Sequence, residues 1–313
     1  MTDINGYSLL GEFTTNNAGF CRWAYCEKGG HKFFIKEFLD PIYPIGKTEL
    51  SQKTIARKQK ICEEFYQRKQ TFYDTLSKCR TGNIAFIVDF FRSGSKYYAV
   101  SDKMEFDVYE FSDVARANQD VKETLMRSIL YSFAQMHKAG IVHADVKPDN
   151  MLIKKTHAGY FTAKIIDFDS GFLLTDIPEE VQGDFVYLAP EAYQKMLDSE
   201  VSIDEKIDIF ALGIIFHQLW TSKLPQTDND HNYIFEAVLD DCTIRLSNAI
   251  PDVHRDLITK MLSKLPNDRP SAMEVLKSFR NSDSNVAIEE ETDNDAVSNT
   301  RKKSLFSVPK DMD

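Results

Sequence analysis

Residues 141–169, IVHADVKPDNMLIKKTHAGYFTAKIIDFD, gather four side chains able to do chemistry into one short segment. Asp145 offers a carboxylate that can accept a proton, Lys147 an ammonium, Asn150 an amide oxygen and Asp167 a second carboxylate. Such a set serves metal-assisted phosphoryl transfer: a base for an attacking hydroxyl, oxygen ligands for a divalent cation, and positive charge to offset the transferred group. Any one of these residues alone reads as a cap or a solvated loop residue. The combination and its spacing carry the reading, provided that Asp167 returns close to Asp145 and Asn150. The chain supplies the means, since Met151-Leu152-Ile153 and Phe161 to Ile166 read as two short strands around a turn at Gly159.

The elements that must position this segment are legible on both sides. Residues 7 to 38 alternate apolar and polar positions, with turn signals at Gly11, Asn16-Asn17, Gly19 and Gly29-Gly30, and predict successive antiparallel strands. The third, Lys32-Phe33-Phe34-Ile35-Lys36, ends on a lysine. After the turn Asp40-Pro41-Ile42-Tyr43-Pro44, residues 48 to 80 contain neither Pro nor Gly, and they space Ile61, Phe65, Phe72 and Leu76 as one helical stripe. Strands follow at Ile84 to Phe91 and Lys96 to Ser101. A second helix is predicted over 121–139, with Leu125, Ile129, Phe133 and Met136 on one face and Gly140 as its stop.

Composition bounds the function. At 42% apolar and 27% charged, the 313 residues describe a globular chain. No apolar run approaches the roughly 18 residues of a membrane span, and the first residues lack a basic region followed by an apolar core, so a cytoplasmic protein is expected. The net charge of -10 argues against nonspecific nucleic-acid binding. Cys21, Cys26, Cys62, Cys79 and Cys242 form no CxxC pair and are expected as free thiols.

Taken together, FFIK at 33–36, HADVKPDN at 143–150 and IIDFD at 165–169 resemble the strand lysine, catalytic loop and metal-binding motif of eukaryotic-like Ser/Thr protein kinases. The likeness continues through GDFVYLAPE at 183–191, the DEKIDIFALG helix opening at 204–213 and NDRP at 267–270, and covers about residues 7 to 280. It implies an α+β, bilobal protein-kinase-like fold: an antiparallel-sheet N-lobe with one long helix over 1–103, and a larger helical C-lobe over 104–280. Residues 281–313, acidic and then basic around Ser304, are expected to be a disordered tail, with Ser304 a candidate for phosphorylation or partner docking.

The resemblance implies roles for particular residues. Asp145 is the base, Lys147 offsets charge on the γ-phosphoryl, Asn150 and Asp167 hold Mg²⁺ or Mn²⁺, and Lys36 holds the α- and β-phosphates of ATP. Gly11, Gly19, the hinge residues Asp102 and Met104, and Leu152 are expected around the nucleotide, and Glu64 (with Glu63 as the other candidate) is expected to pair with Lys36. His143 and Phe168 are expected in an apolar spine between the lobes, Asp208 under the catalytic loop, and Glu191 paired with Arg269. The substrate is then a protein hydroxyl, with the protein itself included, and neither nucleic acid nor membrane is a partner.

Four departures from the family pattern matter. Phe34 stands where the family has a small alanine lining the adenine pocket, which reshapes that pocket. Ala144 replaces the arginine that reads a phosphate on the activation segment, so activity is expected not to require phosphorylation there. Asp169 replaces the glycine after Phe168, an extra carboxylate able to tune a second metal, and Asp184 replaces a threonine and could pair with Lys147. Two other readings stay open: a pseudokinase or nucleotide-binding scaffold, and a small-molecule kinase of the aminoglycoside or choline type. The latter enzymes lack the APE segment that this chain carries.

Overall fold

The computed structural model describes residues 2–15, 21–46, 50–79, 81–104, 107–227 and 231–281. Strands β1 (Asp3–Ile4), β2 (Tyr7–Leu9), β3 (Cys21–Lys28) and β4 (His31–Phe38) are followed by helix α1 (Gln52–Leu76), then β5 (Ile87–Ser93) and β6 (Lys96–Asp102). They form one antiparallel sheet in the order β1-β2-β3-β4-β6-β5. Gly29 and Gly30, both at positive φ, make the two-residue turn between β3 and β4, the turn whose twist suits a tight hairpin.

Alternation gives the sheet two faces. Ala24, Cys26, Ile35 and Val100 point to one side and close a small core with Ile4, Tyr7, Leu9, Phe91 and Tyr98. Cys21, Phe38 and Ala99 point to the other and join the main core with Cys62, Phe72, Tyr73 and Leu76 of α1. Lys36, two residues from Phe38, is on this second face and is itself buried. The buried stripe of α1 is thus one position away from expectation at its start. Cys62 is buried whereas Ile61 is 46% exposed, because both lie at helical spacing from Phe65 and only one can face the sheet.

The second part is helical: α2 (Phe111–Ala115), α3 (Gln119–Lys138), α4 (Pro190–Leu197), α5 (Lys206–Thr221), α6 (Ile234–Leu239), α7 (Asp252–Met261) and α8 (Ala272–Asn281). Asn118 caps α3 by accepting from the Val121 N–H at 3.0 Å, and Gly140, at φ 73°, turns the chain out of its end. Leu125, Ile129, Phe133 and Met136 are fully buried, each contributing about 1.5–3 kcal/mol over exposure. Between α3 and α4 lie β7 (Ile141–Val142), the hairpin of β8 (Met151–Lys155) with β9 (Phe161–Ile165), and β10 (Phe172–Leu173), which pairs with β7. Among the described residues, no helix is long and apolar enough to cross a membrane. The tail, including Ser304, lies outside the described residues.

Candidate active site

The β8–β9 hairpin, with Met151 opposite Ile165 and Gly159 at φ 87° in its turn, brings the end of one motif to the start of the other. The Ile166 N–H donates to the Asn150 carbonyl at 3.0 Å, so Asp167 leaves the hairpin beside Asn150. The Asn150 amide nitrogen donates to the Asp145 carbonyl (2.7 Å) and carboxylate (3.0 Å), which leaves its amide oxygen for another ligand. Lys147 Nζ pairs with the Asp145 carboxylate at 2.8 Å. Burial disfavours the Lys147 ammonium, but its bond to Asp145 outweighs that and holds its pKa above the ordinary lysine value.

The loop carrying Asp145 is held from below. Asp208, near the start of the buried helix α5, accepts from the backbone N–H groups of His143 and Ala144, both at 2.9 Å, and lies 3.0 Å from His137 Nε2. Ala144 has φ 63°, a left-handed conformation costing a non-glycine residue about 1–2 kcal/mol. The two bonds to Asp208 over-determine it. An apolar column crosses between the two parts of the chain: Phe72 of α1, Phe168, His143 and Phe133, with successive ring centroids 6.4, 5.0 and 6.1 Å apart. Gly171 leaves room for this column, since a Cβ there would stand 2.6 Å from the Phe72 ring and force it to shift.

Lys36 reaches across to the second motif. Its ammonium contacts the carboxylates of Asp167 and Asp169, each at 2.8 Å. Burial opposes its charge, yet Asp169 and then Asp167 hold its pKa above the ordinary value. Burial also pushes the Asp169 carboxyl up, but Lys36 and, next, Lys69 hold it below the usual carboxylate range.

Glu64 does not join this cluster. It is 64% exposed and faces Lys60 one helical turn away at 3.6 Å, while Glu63 accepts from Gln67 at 2.8 Å. Both belong to the outer face of α1, because the face turned to the site is the one with Cys62, Phe65 and Phe72. From that side α1 sends cations. Lys69 donates to the Asp169 carbonyl at 2.6 Å, and Arg68 forks onto Asp176 at 2.7 and 2.9 Å. Neither was marked by the sequence, since their partners lie 100 and 108 positions on and leave no local pattern.

The expected nucleotide contacts divide. Asp102 ends β6, and the Lys103 N–H after it donates to the Lys32 carbonyl at 3.2 Å, fixing the strand exit beside Met104. Leu152 is half-buried on the side of β8 opposite the buried Met151 and Ile153. Gly11 lies in an exposed bend after β2, and Gly19 lies outside the described residues. Phe34 stacks on Trp23 at 5.2 Å between ring centroids, next to Lys36. Asp184 does not take Lys147: its carboxylate accepts from the Val186 N–H at 2.9 Å, closing its own turn, while its backbone N–H donates to the Asp145 carboxylate at 3.3 Å. In the second part, Glu191 at the start of α4 and Arg269 form a buried two-pronged pair at 2.6 and 2.8 Å.

A base candidate held by an amide and an ammonium, with a carboxylate–lysine pair opposite, is an arrangement for moving a phosphoryl group. Residues 46–279 match the protein kinase domain, and the chain belongs to that family. It is similar to calcium-dependent protein kinase 6 of Plasmodium berghei, 32% identical over 205 residues, covering 62% of this chain and 13% of that protein. It is also similar to serine/threonine-protein kinase cds1 of Schizosaccharomyces pombe, 26% identical over 231 residues, covering 70% and 48%. A serine/threonine-protein kinase of Drosophila melanogaster is 27% identical over 207 residues, covering 64% and 26%. The chain thus spans less than half the length of each of these relatives.

Proposed function

We propose that this chain is an ATP-dependent protein serine/threonine kinase whose activity needs no phosphate on the activation segment. The observation that carries the first part is the held carboxylate of Asp145, one of whose oxygens takes both the Lys147 ammonium and the Asn150 amide nitrogen, so that the Asn150 amide oxygen is left for another ligand. The donor set suits the group the family implies: the Asn150 amide oxygen and the Asp167 carboxylate are hard oxygen ligands of the kind Mg²⁺ or Mn²⁺ takes. Bound MgATP supplies the phosphoryl group and the charge neutralisation that its transfer requires. Asp145 orients and takes the proton of the substrate hydroxyl, Lys147 offsets developing negative charge, and Lys36 holds phosphate oxygens.

Independence from phosphorylation is supported by what holds the segment. No guanidinium follows His143, and the chain instead uses its own carboxylate, Asp176, against Arg68. The backbone N–H of Asp184 reaches Asp145 from the far end of the same segment. The hydroxyls between Asp167 and Glu191 are Ser170, Thr175 and Tyr187. Phosphatase-treated protein and the variants Ser170→Ala and Thr175→Ala are expected to phosphorylate a generic protein substrate within about twofold of untreated wild type. Asp145→Ala is expected to lose roughly 10²- to 10⁴-fold. Loss of activity on both phosphatase treatment and Thr175→Ala would overturn the independence, and labelling unchanged by Asp145→Ala would overturn the kinase assignment.

One observation favours a second reading, a nucleotide-binding scaffold without transfer: the Trp23–Phe34 stack beside Lys36 on the β3–β4 hairpin. ATP binding by wild type without label transfer to any protein would favour it.

A further inference from the structure

We propose that Asp169 is the positioning residue that holds Lys36 for the nucleotide phosphates, a post that no glutamate of α1 fills, and that Lys69 locks α1 to the same point. The proposal rests on the kinase reading and assigns a division of labour within it.

The cluster is balanced in charge: two carboxylates, Asp167 and Asp169, face two ammonium groups, Lys36 and Lys69. Asp169 is central to it. One carboxylate oxygen takes Lys36 at 2.8 Å and the Cys21 thiol at 3.4 Å, and its carbonyl takes Lys69 at 2.6 Å. A single residue therefore touches β3, β4 and α1. Asp167 shares Lys36 with it, and a metal ligand that is also the sole counter-charge of a lysine faces a conflict. With Asp169 present, Lys36 keeps a carboxylate when Asp167 turns to a cation. Without it, Asp167 is left with both ammonium groups and the metal competes for it.

The carboxylates of α1 do not reach the cluster: Glu63, Glu64 and Asp74 face Gln67, Lys60 and Gln70 on the outer face. The α1 residue nearest the cluster is itself a cation, so a carboxylate has to come from elsewhere, and the segment after Asp167 provides it. Lys69 then has a reason to be basic: it binds a carbonyl of the residue whose side chain has already been committed.

Two measurements test this. The first is binding of a fluorescent ATP analogue with and without MgCl₂. The second is hydrogen exchange of α1 amides in nucleotide-free protein. Asp169→Asn keeps the shape and removes the charge, and is expected to weaken analogue binding roughly tenfold or more, the scale of a lost charged hydrogen bond, and to raise the MgCl₂ needed for half-saturation. Lys69→Met is expected to speed exchange across 62–72 with a smaller effect on binding. Moving the carboxylate to the helix, Asp169→Gly with Lys69→Glu, is expected to recover binding that Asp169→Gly alone loses. A general loosening of the fold would not be rescued by relocating one charge.

Wild-type binding by Asp169→Asn, or no recovery in the double variant while Asp169→Gly is weakened, overturns the proposal and leaves the kinase reading standing. If wild type binds no analogue, the kinase reading fails. In that case faster α1 exchange in Lys69→Met still supports the lock, and unchanged exchange overturns it.

Discussion

Replacing Asp208 with Asn separates the geometry of the catalytic loop from its chemistry. The Asp208 side chain is 1% exposed and uses both oxygens on backbone donors, one on His143 and one on Ala144, each at 2.9 Å. Asparagine offers one oxygen and turns an NH₂ toward the other donor. One charge-assisted hydrogen bond, worth about 1.5–3 kcal/mol, is lost, and a buried N–H faces another donor at a cost of about 1–3 kcal/mol. The first of these alone is of the same size as the roughly 1–2 kcal/mol stored at Ala144 by its positive φ. The left-handed turn is then no longer over-determined, and Asp145, the next residue, shifts. If the transition state feels that bond in full, activity falls roughly ten- to hundredfold. Denaturant unfolding reports the stability change and phosphorylation of a protein substrate the rate. The companion Ala144→Gly decides the cause, since glycine occupies positive φ without the steric cost, at an unfolded-state penalty of only about 0.5–1 kcal/mol. In the Asp208→Asn background it is expected to restore part of the lost activity. Asp208→Asn with unchanged activity, or no recovery whatever from Ala144→Gly, refutes the role given to strain.

Other consequences are more direct. Glu191→Ala leaves the Arg269 guanidinium, fully buried, without its carboxylate, and is expected to cost about 3–5 kcal/mol, seen as a fall in Tm of roughly 6–20 °C by calorimetry. Glu63→Ala and Glu64→Ala are expected to leave KM for ATP within about twofold of wild type, because neither contacts Lys36; a tenfold rise for either would restore the usual helix–lysine pairing. His217 accepts the Ser247 N–H at Nε2 (3.1 Å) and sits 2.7 Å from the Lys223 carbonyl at Nδ1, which fixes a neutral ring. Burial lowers its pKa, in spite of the bond to Lys223, so the unfolded chain takes up the proton first as pH falls. Stability is therefore expected to decline below about pH 6.5, the ordinary histidine value. Tm measured from pH 7.5 to 5 should fall less steeply in His217→Gln.

Much of this was legible in the sequence, for reasons that differ by residue. Asp145, Lys147 and Asn150 are close in the chain, and the β8–β9 hairpin that returns Asp167 is a local structure with its own glycine signal. The α3 stripe from Leu125 to Met136 is a sustained period. The Glu191–Arg269 pair was expected only through the family resemblance, and geometry agrees. The phase of α1 was not legible. Positions 61 and 62 fit equally the spacing that leads to Phe65, and charges occur all round the helix, so Glu64 and Lys69 could not be told apart as inner and outer residues. Only the sheet, by burying Cys62, selects which charge faces the site.

That selection has an energetic consequence for how α1 is held. The helix turns two cations toward the segment after Asp167, Lys69 inside and Arg68 at the surface, and that segment answers with oxygen atoms, the Asp169 carbonyl and the Asp176 carboxylate. The two contacts differ in weight. Arg68 and Asp176 are 57% and 43% exposed, so their pair contributes no more than about 0.2–1 kcal/mol after solvent screening, in spite of its two-pronged geometry. The bond from Lys69 is shorter and partly sheltered; a charged donor of this kind contributes about 1.5–3 kcal/mol, offset in part by burial, which holds the Lys69 pKa below the ordinary lysine value. Added salt weakens the outer pair far more than the inner bond. The inner bond therefore adds to the core packing of Cys62, Phe72, Tyr73 and Leu76 in holding α1, and the outer pair adjusts the path of the segment beyond it. Both acceptors, a backbone carbonyl and an aspartate side chain, are built into the chain.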